Sequence, residues 1–202
     1  MKTIVIASNN NGKIKEIKHI FANSSFQFIS QAELNIPEIA ETGLTFIENA
    51  IIKARHVAQF TKHPVLADDS GLVIPKFNYQ PGLYSARFAD KHQSLLSNTE
   101  FLLQSLCKNA LVKPDAYFYS AIVYLQNETD PMPLIGEGIW HGKICENARG
   151  NQGFGYDPIF YLPAYQCTAA ELSSEIKNQI SHRAIALKEL VKKMESYLCP
   201  IS

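Results

Sequence analysis

No charge of either sign prevails in this chain of 202 residues: nineteen lysines and arginines stand against nineteen aspartates and glutamates, for a formal net charge of zero and a pI near 7.0. A dedicated nucleic-acid binder carries a basic excess, so that class is disfavoured, while a local basic pocket for a small anion is not. Cysteine is scarce and scattered. Cys107, Cys145, Cys167 and Cys199 form no C-x-x-C pair, which removes zinc-site spacing, and a chain this long does not need a disulfide framework. No apolar run approaches the length of a bilayer span, and the one in "MKTIVIASNNNG" is too short for a secretory h-region. Internal repeats, low-complexity segments and obvious linkers are absent as well. These absences lead to the expectation of a cytoplasmic protein with no membrane or nucleic-acid partner, folded as one domain over 1–202.

What is there is an alternation of strand and helix signals. "TIVIAS" at 3–8 reads as a buried β-branched strand. "NNNGK" then punctuates, and Ile14, Ile17, Ile20 and Phe21 follow at helical spacing. A second helix starts at Thr45, which with Glu48 has the spacing of a capping box, and its inner stripe is Ala50, Ala54, Val57 and Ala58. The strands "VLAD" and "LVIP" come next, then a helix from about Asn98 to Cys107, a long strand "AYFYSAIVYLQ" and an antiparallel partner "PLIGEGIWHGKI". A glycine-rich loop leads into "PIFYLP"; a second Thr-x-x-Glu box, Thr168 and Glu171, precedes a long helix over 182–198. This order predicts an α/β fold with a mixed sheet.

Four stretches carry chemical potential, each with an ordinary structural reading beside it. "SNNNGK", residues 8–13, joins a strand to a helix, where free N–H groups and the helix dipole favour an anion and Lys13 supplies a point charge. It satisfies neither the Walker A pattern nor G-x-G-x-x-G, and an Asn/Gly turn with a solvated lysine has the same composition. "ADDSGL" ends an apolar strand with two adjacent carboxylates, a turn composition or a magnesium site; Glu41 ahead of the second helix is a third acid. Successive strand residues face opposite ways, so one aspartate is expected to hold metal and the other structure or water. "SHRAIAL" places His182 and Arg183 in a helix's first turn after the Ser181 cap, against the dipole, which costs about 0.3–1 kcal/mol unless a negative or carbonyl-rich partner stands nearby. In "GFGYDP" two glycines flank Phe154, which is either tucked into the core or free to stack on a ligand. The second helix, with Asn49, Lys53 and His56, is ambiguous: Asn49 and Lys53, four apart, share one face, which usually means a solvated face. Together these supply metal ligands, a phosphate loop, basic groups and a stacking ring, the kit for a nucleoside triphosphate.

"ETGLTFIENAIIKARHVA", "ADDSGL", "PGLYSARFA", "GFGYDPIF", "TAAEL" and "ISHRAIALKEL" resemble, in order and over nearly the whole chain, the successive motifs of the inosine triphosphate pyrophosphatase family, and more closely its bacterial dITP/XTP pyrophosphatase branch. The resemblance implies an elongated mixed β-sheet with flanking helices and two lobes around a central cleft. It also implies a homodimeric, magnesium-dependent hydrolase that converts ITP, dITP or XTP to the monophosphate and pyrophosphate and so cleanses the nucleotide pool. Carried over by position, Ser8, Asn9, Asn10, Asn11, Gly12 and Lys13 would hold the phosphates. Glu41 and Asp69 would ligate Mg2+, with Asp69 also the proton acceptor for water, and Asp68 would support the site. Ser70, Phe154, Gly155, Tyr156, Asp157, Lys177, His182 and Arg183 would complete the substrate pocket, Phe154 stacking on the base and the last two facing the purine's carbonyl edge. The chain departs from the pattern at Asn9, where glycine is usual, at Cys167 for lysine, at Ala184 for glycine and in "FNYQPG". The competing expectations are a pyrophosphatase preferring a pyrimidine nucleotide and a nucleotide sensor without turnover.

Overall fold

The computed structural model describes residues 2–22 and 24–198; Cys199 lies outside the described residues. Its sheet has eight strands. In chain order they are β1 (Lys2–Ile6), β2 (Phe26–Ser30), β3 (Val65–Ile74), β4 (Gln80–Pro81), β5 (Asp115–Leu125), β6 (Leu134–Ile144), β7 (Phe160–Leu162) and β8 (Cys167–Thr168). In space the order is β2-β1-β3-β5-β6-β7-β8, with β4 beside β3. Pairing is mixed: β1 runs parallel to β2 and β3, whereas β3 with β4, β6 with β7 and β7 with β8 are antiparallel. The helices are α1 (Asn11–Ile20), α2 (Phe46–Ala58), α3 (Phe88–Lys91), α4 (Asn98–Lys108), α5 (Ser174–Ile180) and α6 (His182–Leu198). The mixed α/β reading therefore holds.

The chain divides into two compact units. The first comprises 1–69, 120–138 and 181–202, the second 70–119 and 139–180. In the first unit the period of two decides which helix covers which face. Ile4, Ile6, Leu66, Ile122 and Tyr124 pack against Ile14 and Ile17 of α1 and Leu187 and Leu190 of α6. The alternate residues Val5, Ala7, Val65, Ala67, Val123 and Leu125 pack against the Ala50, Ala54, Val57 and Ala58 stripe of α2. In the second unit Leu72, Ile74, Phe118, Trp140 and Phe160 bury one sheet face against Leu102 and Leu106 of α4 and Phe88 of α3.

Caps and close approaches fix the elements. The Thr45 hydroxyl accepts from Glu48 N–H at 3.1 Å, while the Glu48 carboxylate accepts from Leu44 N–H at 2.8 Å. Ser181 caps α6, its hydroxyl accepting from Ala184 N–H at 3.3 Å. Helix α6 lies so close to β6 that a Cβ on Gly138 would come within 2.0 Å of the His182 carbonyl oxygen. Glycine is required there by contact, not by conformation.

One expectation is corrected. The aspartates do not close a strand: β3 runs unbroken through Val65–Ile74, so "DDSG" is extended backbone. The strand is anchored by β1 at Val65 and Leu66, by β4 at Val73 and Ile74, and by its neighbour β5, and this pairing overrides turn composition. Strand β2 and helices α3 and α5 gave no signal in the sequence. Strand β2 is a half-buried edge strand and the two helices are short.

Candidate active site

In the first unit, the site begins with the two faces of β3. Asp68 follows Leu66 in alternation and points toward α1 and α6; Asp69 follows Ala67 and points toward α2. Neighbouring carboxylates are thus separated by the strand itself and acquire different partners.

On the α2 side, the Lys53 ammonium donates to Glu41 Oε1 at 2.8 Å, to Asp69 Oδ1 at 2.7 Å and to the Asp68 carbonyl at 2.9 Å. Glu41 reaches this point because the loop ahead of α2 is tied down. Gly43 N–H donates to the buried Asn49 side chain at 2.8 Å, and a Cβ on Gly43 would clash with Glu48. Burial pushes the Asp69 carboxyl up to about 6, with a smaller push from Glu41; Lys53 and Lys13 pull the other way. Lys53 itself is held above the ordinary lysine range: burial would lower it, but the Asp69 and Glu41 carboxylates outweigh burial. A carboxylate tuned toward neutrality is what a general base needs.

On the α1 side, Asp68 is fully buried. Its Oδ2 faces the Lys13 ammonium at 2.9 Å and the Arg183 guanidinium at 3.2 Å, and its Oδ1 accepts from the Ser120 hydroxyl at 2.5 Å. Burial alone would raise this acid, but Arg183 and Lys13 hold it well below the usual carboxylate range. It stays ionised and points away from α2, as a support does. Arg183, 1% exposed, also meets Glu16. Arg183 at the start of α6 is therefore compensated by two carboxylates, Asp68 from β3 and Glu16 from α1, rather than by a ligand alone.

The loop between β1 and α1 is ordered by its own polar side chains. The Ser8 hydroxyl accepts from Asn10 N–H at 3.1 Å, the Asn10 side chain caps α1 by accepting from Lys13 N–H at 3.1 Å, and the Asn9 amide donates to Glu38 at 2.8 Å. Asn9, where the sequence departs from the expected glycine, thus fastens the loop to the segment leading to Glu41. Asn11 and Gly12 form the first turn of α1.

The second unit holds another cluster. Lys177 and Asp157, both buried, pair at 2.6 Å, and Asp157 also accepts from Phe154 N–H at 2.8 Å. The Lys177 ammonium lies 4.9 Å from the Phe154 ring centroid. Gly153 and Gly155 have φ of +75° and +61°, and a Cβ on Gly153 would lie 2.0 Å from an Asp157 oxygen. The turn presents Phe154 37% exposed, so the ring is not tucked into the core. Tyr156 points inward, its hydroxyl donating to the Ser85 carbonyl at 2.9 Å, and burial raises its phenol. Ser70 follows Asp69 directly on β3, and His182 and Ala184 are buried at the start of α6. Cys167 on β8 pairs with Leu162 of β7.

Of the expected residues, the structure brings together Lys13, Glu41, Asp69 and Arg183 around β3, and Phe154, Asp157 and Lys177 in the second unit. Sequence reasoning missed Glu16 and Ser120, and the solvated face expected for Asn49 and Lys53 is corrected: Asn49 is buried and the Lys53 ammonium is held by three oxygens. Lys53 left a trace, since it stands three residues after Ala50 and four before Val57, inside the apolar stripe. Glu41 and Asp69 present hard oxygen donors about one cation, which suits magnesium, an ion that commonly takes one or two protein carboxylates. No group of three or more His, Cys, Asp or Glu side chains forms a metal cluster among the described residues.

These features define an α/β protein with a buried acid–lysine centre on one strand. Comparison with known proteins makes the class particular. The chain belongs to the Ham1 family, whose profile matches residues 4–193. It is 50% identical over 190 residues to the dITP/XTP pyrophosphatase of Legionella pneumophila strain Lens, covering 94% of this chain and 97% of that protein. The dITP/XTP pyrophosphatase of Vibrio cholerae is 46% identical over 195 residues, covering 96% and 98%. Among solved structures, a Ham1 protein from Coxiella burnetii matches with a TM-score of 0.86 at 44% identity, covering 96% of this chain and 99% of the other. The Staphylococcus aureus Ham1 protein gives 0.82 at 40%, covering 97% and 100%.

Proposed function

We propose that this protein is a nucleoside triphosphate pyrophosphatase that hydrolyses dITP, ITP and XTP to the monophosphate and pyrophosphate, removing non-standard purine nucleotides from the cytoplasmic pool. The observation that carries the reading is Asp69: a buried carboxylate raised toward neutrality, facing Lys53 and Glu41, in a chain half identical to a dITP/XTP pyrophosphatase.

Asp69 would accept the proton of the attacking water. Lys13 and the capped start of α1 would hold the phosphates, where N–H groups and dipole favour an anion. Lys53 would keep the two carboxylates apart and oriented. Phe154 would stack on the base, with Ser70, Gly155, Tyr156, Asp157, Lys177, His182 and Arg183 completing the pocket. Glu41 and Asp69 would hold Mg2+, which when bound supplies Lewis-acid polarisation of the phosphate oxygens. The rate would come from positioning and charge stabilisation more than from covalent chemistry. A homodimer is proposed on the family resemblance, and size-exclusion chromatography with light scattering tests it.

The direct test is pyrophosphate release from ITP, XTP, ATP, GTP and dTTP, each with magnesium and with EDTA. Magnesium-dependent release from ITP and XTP, with the other three far slower, is expected. A pyrimidine in first place, or tight binding without release, would sink the reading.

A further inference from the structure

The acids that compensate Arg183 do more than quiet a helix terminus. The contacts form a run of alternating charge: Lys13, Asp68, Arg183 and Glu16. Its two ends, Lys13 and Glu16, lie three residues apart on α1 and share a face. Its middle members come from β3 and α6, and the Ser120 hydroxyl of β5 donates to the other Asp68 oxygen, Oδ1. The side chains of Asp68 and Arg183 are 0% and 1% exposed, whereas that of Lys13 is 16% exposed.

A buried charge that loses its partner is strongly destabilising. An ammonium that leaves a buried carboxylate to meet a phosphate would ordinarily do this. Here Asp68 keeps Arg183 and the Ser120 hydroxyl when Lys13 turns outward. Glu16 matters for the opposite reason. By drawing on the Arg183 guanidinium it keeps that cation from being satisfied by Asp68 alone, so the carboxylate still holds Lys13 in place.

We propose that Glu16 and Ser120 are positioning residues that act through Asp68 to aim Lys13 at the triphosphate. This rests on the reading that Lys13 meets the phosphates. Removing either residue leaves Lys13 poorly held and shows chiefly in substrate binding.

The test combines kinetics with a direct look at the lysine. Glu16→Gln and Ser120→Ala are each expected to raise KM for ITP about tenfold while kcat changes less than about threefold. In a Lys13→Ala background the same substitutions are expected to change KM less than about twofold, because residues that act through one another are not additive. Glu16→Asp should restore part of the loss. The 13C-dimethyl-lysine NMR signal of Lys13, assigned with Lys13→Arg, should move in both variants. Equal losses in the two backgrounds, or a Lys13 signal that both variants leave in place, would overturn the proposal. The lysine signal is readable without turnover. A wild-type protein inactive on ITP and XTP would therefore count against the proposed function, and an unmoved signal against this inference.

Discussion

The Asp69 carboxyl is the residue on which activity and stability pull against each other. Its folded value of about 6 lies above the ordinary carboxylate value of about 4. The native state therefore takes up this proton more readily than the unfolded chain. Above pH 6 the charge weakens the fold, and that effect fades as pH falls from about 6 toward 4. Asp69→Asn should then lower kcat by about 10²–10⁴, as expected for loss of a general base. In metal-free buffer at pH 8 it should also raise Tm by a few degrees, on the order of 4 °C, and the gap should close by pH 4–5. Differential scanning calorimetry across pH checks this; a lower Tm at pH 8 would refute it. Lys53 pulls Asp69 down, so Lys53→Met should move the acid limb of the kcat/KM profile to higher pH. Steady-state rates between pH 5 and 8 decide the matter.

Among the elements, β6 and α6 show how a site residue depends on backbone placement. Gly136 and Gly138 leave no side chain between strand and helix; a Cβ on either would press within 2.2 Å or less of a carbonyl oxygen of α6. Gly138→Ala should cost about 1–3 kcal/mol by overpacking, read from urea denaturation, and should raise KM because the displaced turn carries His182. Elements with strong periodicity were legible in the sequence: β1, α1, α2, α4, β5, β6 and α6 all follow from spacing and caps. The aspartates were legible as chemistry but not as geometry, since a turn composition cannot reveal that β1 and β5 pair on both sides of β3. Lys53 was half legible from its place in an apolar stripe. Glu16 and Ser120 were not legible, because their partners lie 167 and 52 residues away in the chain and no local pattern encodes such contacts.

For the molecule as a whole, the division into two units does not coincide with any linker. The chain passes from one unit to the other at 69/70, 119/120 and 138/139, inside β3, β5 and β6, and again at 180/181 between α5 and α6. A single cooperative transition is therefore expected. Trp140, the sole tryptophan, is buried in the second unit and reports on it alone, whereas far-UV circular dichroism reports on both. Coincident midpoints in guanidinium chloride are the expected result; fluorescence changing ahead of ellipticity would show that the units unfold separately.

The unbroken β3 has one more consequence, for how such a chain can change over time. Because Asp68 and Asp69 differ only in which way the pleat turns them, removing or adding a single residue upstream in the strand turns each toward the opposite face. A deletion would bring Asp69 to the place among Lys13, Arg183 and Ser120 and leave Ser70 beside Lys53 and Glu41; an insertion would bring Asp68 beside Lys53 and Glu41 and leave Ala67 among the other three. Substitutions can be tried here one at a time, but a shift in length alters both carboxylates at once. Insertions and deletions should therefore be tolerated in the loops and excluded from these ten residues.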